Sequence, residues 1–245
     1  MVKDLYAQLE GQWGSRARLA WDTFDLKTTK GIPSWMLHVM DVPFMEEMTG
    51  HAPGEYARNP GKVYLAFQRL AGACYIDQYI PTNPMTMSHT GFDAATTRTA
   101  TTGAAEIILD DIRIDSPEAV LEHLEKVVLP RRVRQIAAFD PDDSAEIDKL
   151  IASECAVQQL FGPDLLKGPY SDGFQSFPTF HNYTYGYENY FMAYAMCPEL
   201  MERDFAVAGD LAVLQNHRAA RAIVQGGLPR LVRLDYDMAD SRSTL

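Results

Sequence analysis

The chain has 245 residues, of which 47% are hydrophobic and 22% charged, and its formal net charge at pH 7 is −11. These totals suit one large globular domain or two small ones, and the acidity argues against a nucleic-acid or anionic-membrane partner because phosphate contacts need a basic surface. The three cysteines form no CxxC pair, so neither a zinc finger nor a disulfide framework is indicated. No signal peptide or run of about 18 apolar residues is present, and we expect a cytoplasmic protein.

The first third of the chain alternates between predicted helices and short strands that are nearly all apolar. In chain order these elements are helix 15–24, strand 34–40, helices 44–50 and 60–72, and strand 75–80. Strands without a polar face are typical of a sheet that is buried on both sides.

The next segment differs in kind. Residues 86–103 are rich in Thr, Ser and Ala without an apolar period, and 105–115 alternate like a hairpin or an edge strand. We therefore expect a long excursion over 86–115, and long loops in compact domains are usually functional.

The remaining elements begin at Ser116, where a Ser N-cap followed by Pro117 and Glu118 predicts a helix start. In chain order we predict helix 116–126, a helical segment to 138, a helix that is capped by Asp142 or Asp143 and reaches about 161, strand 174–180, helices 186–196 and 198–225, and strand 231–235.

Strands that alternate with helices predict an α/β fold with a parallel sheet. Neither a dinucleotide-binding nor a P-loop glycine motif is present. Four parallel strands are half of an eight-stranded barrel, and an isolated half would leave two edges and an open core. The alternatives are a truncated (β/α)8 barrel of the TIM type, a barrel completed by another copy, which implies a homo-oligomer, or a small open sheet. We take 1–245 as a single, partial barrel domain.

Polar residues that follow the predicted strands are the candidate site residues, because parallel α/β domains place their chemistry at the carboxyl ends of strands. The candidates are His38 and Asp41 after the first strand; Asp77, Tyr79, Asn83 and His89 in and after the second; His181, Asn182 and Tyr183 after the third; and Asp235, Asp237, Asp240 and Arg242 after the fourth. We predict catalytic roles for four of them, Asp77, His181, Asp235 and Asp237. Substrate-binding roles are predicted for His38, Asp41, Tyr79, Asn83, Asn182, Tyr183 and Arg242.

Each candidate has a structural alternative. His38 could be a hydrogen-bonded core histidine, and the Asp235–Asp237 pair could be a solvated turn. Asp77 lies in an apolar strand, where a carboxylate is costly unless paired, so a salt bridge or helix cap competes with a site role. The tyrosines 183, 187, 190 and 194 are typical of helix packing, with a ligand-facing role as the alternative. The basic run 131–134 indicates a solvated helix face or a partner contact.

The end of the chain is unusual. Asp235 and Asp237 are two apart, so on a strand they point the same way, as at the working rim of a barrel. The chain then stops at Leu245. We expect the intact protein to continue.

Three segments carry a family resemblance: IPSWM at 32–36, YIDQYIP at 75–81 and LDYDM at 234–238. They resemble the uroporphyrinogen decarboxylase superfamily, which comprises the decarboxylase of haem synthesis and related corrinoid and coenzyme M methyltransferases on a (β/α)8 barrel. The resemblance covers the whole of this chain, which corresponds to only about the first two thirds of the family domain.

The resemblance implies roles for three residues. Asp77 stands where the decarboxylases keep the carboxylate that contacts the pyrrole nitrogens, and Asp235 and Asp237 stand in the family's Asp-Asp-Met segment. The decarboxylases carry substrate-binding arginines after the first strand, whereas this chain has HVMDVP at 38–43. An acidic chain without those arginines lacks the cationic side chains that a tetrapyrrole with eight carboxylates needs for binding. This difference favours the methyltransferase branch.

The methyltransferase branch implies a zinc ion and a corrinoid partner protein. In the family, the zinc ligands are a His-x-Cys pair and a later Cys, which lie beyond the end of this chain. The metal ligands are therefore not predicted from this segment.

Three hypotheses follow. The first is a methyltransferase that acts on a small methylated substrate or a corrinoid. The second is a tetrapyrrole decarboxylase, with Arg98 or Arg242 as the candidate cations. The third is a non-catalytic truncated assembly partner whose apolar face is covered by another copy. The enzyme hypotheses predict that His38, Asp77, His181 and Asp235 converge within about 10 Å.

Overall fold

A computed structural model describes residues 5–35, 41–82, 107–169 and 180–232. The chain divides into two compact units. Unit 1 comprises Met1–Ala94, Asp143–Gly173 and Ala219–Arg233, and unit 2 comprises Ala95–Asp142, Phe174–Arg218 and Leu234–Leu245. The single domain over 1–245 stays a prediction.

Most of the described chain is helical. Unit 1 contains α1 Leu5–Leu9, α2 Ser15–Phe24, α3 Val42–Met48, α4 Glu55–Arg58, α5 Pro60–Leu70, β1 Tyr75–Ile76, α8 Ser144–Phe161 and β4 Leu166–Lys167. Unit 2 contains β2 Ile108–Leu109, β3 Ile112–Arg113, α6 Pro117–His123, a π-helical turn Leu124–Val128, α7 Leu129–Ala138, α9 Asn182–Tyr185 and α10 Tyr187–Met196. The last helix, α11 Pro198–Gly226, contributes residues to both units.

The strands of unit 1 are short and parallel. β1 pairs with β4, with Tyr75 opposite Leu166, and Trp35 forms a parallel bridge to Tyr75 on the other edge of β1. Parallel neighbours need long crossover connections, which here include helices. The parallel direction agrees with the sequence analysis.

The observed strands differ from several of the predicted ones. The strand at Leu166–Lys167 was not predicted, and Phe180, Leu231 and Val232 lie outside any strand. Residues 36–40, 174–179 and 233–235 of the other predicted strands lie outside the described residues. The barrel therefore stays a prediction.

The core of unit 1 packs around α5. Its apolar residues Val63, Tyr64 and Phe67 are buried together with Ile76 of β1 and Phe161 of α8. Burying each large apolar side chain contributes about 1.5–3 kcal/mol to the free energy of folding. This burial stabilises unit 1, in which the strand pair itself is only two residues long.

Local capping explains where several helices begin and end. The Asp143 carboxylate accepts hydrogen bonds from the backbone N–H groups of Ala145 and Glu146 at the start of α8, and Gly162 ends that helix with φ +66°. Ser116 caps α6 by accepting from Ala119, with Pro117 at the first helical position. These starts and the Gly162 stop confirm the sequence predictions.

The helix over 117–138 is continuous, although a break near 126 was expected. A π-helical turn over Leu124–Val128 lies just before Pro130. Pro130 has no N–H to donate, and its ring crowds the carbonyl four residues earlier, so a locally wider turn accommodates it within one helix.

In unit 2 the segment predicted to be a hairpin or an edge strand contains a hairpin. β2 and β3 pair antiparallel, and the turn residues Asp110 and Asp111 have φ +46° and +66°. Positive φ at both central residues is the requirement of a type I′ hairpin turn. The remainder of the predicted excursion, 86–106, lies outside the described residues.

The core of unit 2 is formed by α6, α10 and α11. Val120 and Leu124 pack with Tyr190 and Met201, all without measurable exposure. Among the described residues, no helix is long and apolar enough to span a membrane.

Candidate functional site

Asp77 is a buried carboxylate at the carboxyl end of β1, with 2% of the residue exposed. Its Oδ1 accepts a hydrogen bond from the indole Nε1 of Trp35 at 3.1 Å and from the backbone N–H of Gln78 at 2.7 Å. Two donors on one oxygen offset part of the cost of burying the charge. Asp77 is therefore held in a fixed orientation.

The parallel ladder positions this carboxylate. Asp77 follows Ile76, which is paired with Lys167, so Gly168 lies beside Asp77 at the same edge. A Cβ added to Gly168 would lie 3.5 Å from the Asp77 Cβ. Trp35 is oriented by a near-parallel ring contact with Tyr75, with centroids 6.3 Å apart. The carboxyl edge thus brings together two of the three segments that carry the family resemblance.

Tyr79 lies between aromatic rings of α5 and α8. Its ring contacts Tyr64 and Phe161 edge-on, with centroids 5.7 and 5.3 Å away. Burial raises the pKa of Tyr79, and burial together with nearby Tyr56 and Asp77 raises the pKa of Tyr64. Both phenols are neutral hydrogen-bond donors near neutral pH, which suits substrate binding and makes deprotonation difficult.

His181 belongs to a second polar cluster, in unit 2. Arg132 of α7 donates from Nη1 to the carboxylate of Asp204 and from Nη2 to His181 Nε2, the latter at 2.8 Å. Asp204 has no measurable exposure, whereas 22% of the His181 side chain is exposed. The cluster therefore joins a buried charge pair to a solvent-accessible imidazole.

The geometry fixes the tautomer of His181. A guanidinium cannot act as an acceptor, so the 2.8 Å contact requires Nε2 to carry a lone pair and Nδ1 to carry the proton. A neutral imidazole makes no ion pair with Asp204, whose Oδ2 lies 3.6 Å from Nε2. In this state His181 can donate from Nδ1.

Asn182, the next residue, is completely buried, yet neither its Nδ2 nor its Oδ1 has a hydrogen-bond partner. Asp204 Oδ2 is also unsatisfied. Unsatisfied buried polar atoms cost about 1–3 kcal/mol each and are uncommon in native proteins.

A second histidine of unit 2 lies in a Tyr–His–Asp arrangement. His123 Nδ1 is 2.8 Å from the Tyr185 hydroxyl, and Nε2 is 2.9 Å from Asp110 Oδ2. Burial raises the pKa of Tyr185, so the phenol donates to Nδ1, and Nε2–H donates to Asp110. Hydrogen bonds from His123 and then Arg131 lower the pKa of Asp110.

The other predicted site residues have varied settings. Asp41 caps α3 by accepting from the Phe44 N–H at 3.0 Å, and Tyr183 is 50% exposed. His38, His89, Asn83, Arg98, Asp235, Asp237, Asp240 and Arg242 lie outside the described residues. Asp77 belongs to unit 1 and His181 to unit 2, so the convergence of the four site residues stays a prediction.

Sequence reasoning missed several partners. Asp204 lies three residues after the buried Met201, and His123 lies three residues after the buried Val120. A polar residue at a core position of an amphipathic helix is a signal of a buried network. Arg132 was interpreted as a solvated helix face or a partner contact, but the residue is mostly buried against Asp204.

No three His, Cys, Asp or Glu side chains within the described ranges come together in a way that could hold a metal ion. The zinc site that the resemblance implies therefore has no candidate ligands among these residues. Comparisons of the chain with protein-family models, curated proteins and solved structures find no match.

Proposed function

We propose that this protein is an enzyme of the uroporphyrinogen decarboxylase superfamily and acts as a methyltransferase on a small methylated substrate or a corrinoid. The observation that carries the proposal is the hydrogen bond between Trp35 and Asp77. These residues come from two segments that resemble the family, and they meet at the carboxyl edge of parallel strands, where α/β enzymes place their chemistry.

The buried, oriented carboxylate supports this proposal. Asp77 is held by the Trp35 indole and the Gln78 backbone, so it can accept a hydrogen bond from a substrate without reorganisation. Gly168 beside it presents no side chain. In this proposal Asp77 binds and polarises the substrate, Tyr79 donates a hydrogen bond to it, and Trp35 is a positioning residue that acts through Asp77.

The proposed roles of the remaining residues rest on the resemblance and on the sequence. Asp235 and Asp237 would line the mouth of the site, and His181 would donate from Nδ1 in its neutral form. The absence of arginine from 38–43 favours methyl transfer over tetrapyrrole decarboxylation. Zinc, which would lower the pKa of a thiol acceptor, and a corrinoid partner are implied by the resemblance, and no step is assigned to them here.

The test is a methyl-transfer assay on the full chain. Methylcobalamin and 2-mercaptoethanesulfonate are incubated anaerobically with the protein, with and without added zinc. The methyl group leaves cobalt without its bonding electrons and forms a thioether with the thiolate, which leaves cob(I)alamin. Its formation is followed by absorbance.

We expect turnover by the wild type and a loss of roughly 100-fold with Asp77→Asn, in the range of a positioned polar group. Glu47→Gln, which neutralises an exposed carboxylate on α3, is the matched control and should be unaffected. Absence of methyl transfer by folded wild-type protein would overturn the proposal. Loss of carboxyl groups from uroporphyrinogen in a parallel assay would favour the decarboxylase instead.

A further inference from the structure

Unit 1 has a cleft far along the chain from the Asp77 segment. Its volume is about 500 Å³, and it is lined by Tyr6, Ala7, Glu10, Trp21, Val224, Gln225, Gly226 and Gly227. Small-molecule sites typically enclose 300–1,000 Å³. The cleft is therefore large enough for a small ligand, and its chemistry can be derived from its walls.

One wall is aromatic. Tyr6 and Trp21 have ring centroids 5.7 Å apart, and Trp13 stacks on Trp21, also at 5.7 Å. The Tyr6 hydroxyl donates to the Lys167 carbonyl at 3.2 Å, which fixes that ring. A rigid indole next to open space is the strongest side-chain partner for an organic cation.

The carboxyl end of α11 also lines the cleft. Gly227 N–H and Leu228 N–H bond back to the carbonyls of Val224 and Ile223, as in a Schellman motif, and Gly227 has φ +59°. This pattern leaves the carbonyls of Gln225 and Gly226 without a backbone donor among the described residues. Since Gly226 and Gly227 have no side chains, they line the cleft with backbone.

Two features contribute negative charge at the cleft, a helix end and a carboxylate. The carboxyl end of a long helix carries a partial negative charge, and Glu10 adds a carboxylate. Glu10 forms an exposed ion pair with Arg18, whose two hydrogen bonds, each 2.9 Å, both end on Oε1, so that Oε2 receives neither of them. The net charge of −11 also attracts cations to the protein at long range.

The cleft also has an apolar rim. Val224, which lines the cleft, is 74% exposed and adds an aliphatic group to it. Aromatic and aliphatic groups near carbonyls that lack a backbone donor suit a cation that carries alkyl groups better than a strongly hydrated metal ion.

We propose that this cleft binds a small organic cation of the alkylammonium type, with Trp21 against its alkyl groups and the α11 carbonyls and Glu10 balancing its charge. The site does not use Asp77 or any residue of the proposed methyl-transfer site, so it stands independently of the proposed function.

The test is a binding titration of the full chain with tetramethylammonium chloride, followed by tryptophan fluorescence and by calorimetry. Sodium chloride at equal ionic strength controls for screening. Tert-butanol, which has a similar shape without the charge, controls for apolar binding. We expect saturable binding of tetramethylammonium and neither saturation nor heat with the two controls.

Three variants locate the site. Trp21→Leu should weaken binding roughly 3- to 30-fold, the range of a cation–π contact, and Glu10→Gln about two- to fivefold. Ala7→Arg places a competing cation at an exposed position of α1 and should abolish binding without loss of fold, which far-ultraviolet circular dichroism checks. Glu47→Gln and Trp35→Phe should bind as the wild type does.

Two results would overturn the proposal. The first is tert-butanol binding as tightly as tetramethylammonium, which would make the cleft a neutral apolar site. The second is unchanged affinity in folded Ala7→Arg protein, which would place any binding elsewhere. Neither result bears on the methyl-transfer assay, so the two proposals fail separately.

Discussion

The guanidinium of Arg132 is hydrogen-bonded to the carboxylate of Asp204, a residue 72 positions away that has no measurable exposure. The pair joins α7 to α11 inside unit 2. A buried pair of this kind adds little net stability over apolar side chains, but breaking it is costly because one charge is left uncompensated.

We predict that Arg132→Met destabilises the protein by about 3–5 kcal/mol, since Asp204 remains buried without its partner. The double variant Arg132→Met/Asp204→Leu should recover much of that loss. Urea unfolding followed by circular dichroism measures both values. Additive effects of the two substitutions would contradict the buried pair.

The Trp35–Asp77 hydrogen bond predicts coupled effects on activity. Trp35→Phe keeps an aromatic ring but removes the donor, so we expect reduced methyl transfer, and little further loss when it is combined with Asp77→Asn. A double-mutant cycle on kcat/KM measures this coupling. Independent, multiplicative losses would show that Trp35 does not act through Asp77.

We predict that a side chain introduced at Gly61 would clash with Tyr79. A Cβ at Gly61 would lie 2.6 Å from the Tyr79 hydroxyl oxygen. Although alanine is the better helix former, Gly61→Ala should destabilise the protein by about 1–3 kcal/mol through overpacking. Tyr79→Phe removes the clashing oxygen and should restore stability to the Gly61→Ala variant in thermal unfolding. Failure of this rescue would place the strain elsewhere.

We predict that the folded protein loses stability in acid as Asp110 becomes protonated. His123 and Arg131 lower the pKa of Asp110 in the folded state below its unfolded value of about 3.9. The stabilisation is therefore complete above about pH 4 and is lost as the pH falls through the lower folded value. Urea unfolding from pH 6 to pH 2 should show wild type more stable than Asp110→Asn at neutral pH, with the difference vanishing in acid.

Tyr56 predicts a loss of stability in alkali. Burial raises the pKa of Tyr56 to about 12, against about 10 for an unfolded chain. Its contribution is complete below about pH 10 and is lost between about pH 10 and 12. Phenolate absorbance should show a late-titrating tyrosine that is missing from Tyr56→Phe. Titration of all tyrosines together near pH 10 in folded protein would contradict the prediction.

The sequence analysis predicted the elements whose signals are local. The Ser116–Pro117 start, the Asp143 cap and the hairpin around Asp110 each depend on a few consecutive residues. The strand at Leu166–Lys167 was missed because two residues are too few to show a period. A strand of this length is defined by its partner Tyr75, which is distant in the sequence.

The candidate site was predicted only in part, because its contacts join residues that are distant in the sequence. A carboxylate in an apolar strand drew attention to Asp77, but its partner Trp35 is 42 positions away and nothing local links them. The pairing of His181 with Arg132 depends likewise on how α7 and α9 pack. The division into two units was not predicted, because it arises from contacts between segments that are widely separated in the chain.

The buried amine of Lys167 in β4 can report on the opening of unit 1. Lys167 is 3% exposed, and its Nζ donates to Glu154 at 2.8 Å and to the Gly168 carbonyl. The other lysines within the described ranges, at 27, 30, 62, 126 and 149, are exposed. Acylation by an amine-reactive reagent should therefore spare Lys167 until unit 1 opens, so the rate at which mass spectrometry detects its modification measures the opening of the parallel ladder beside Asp77.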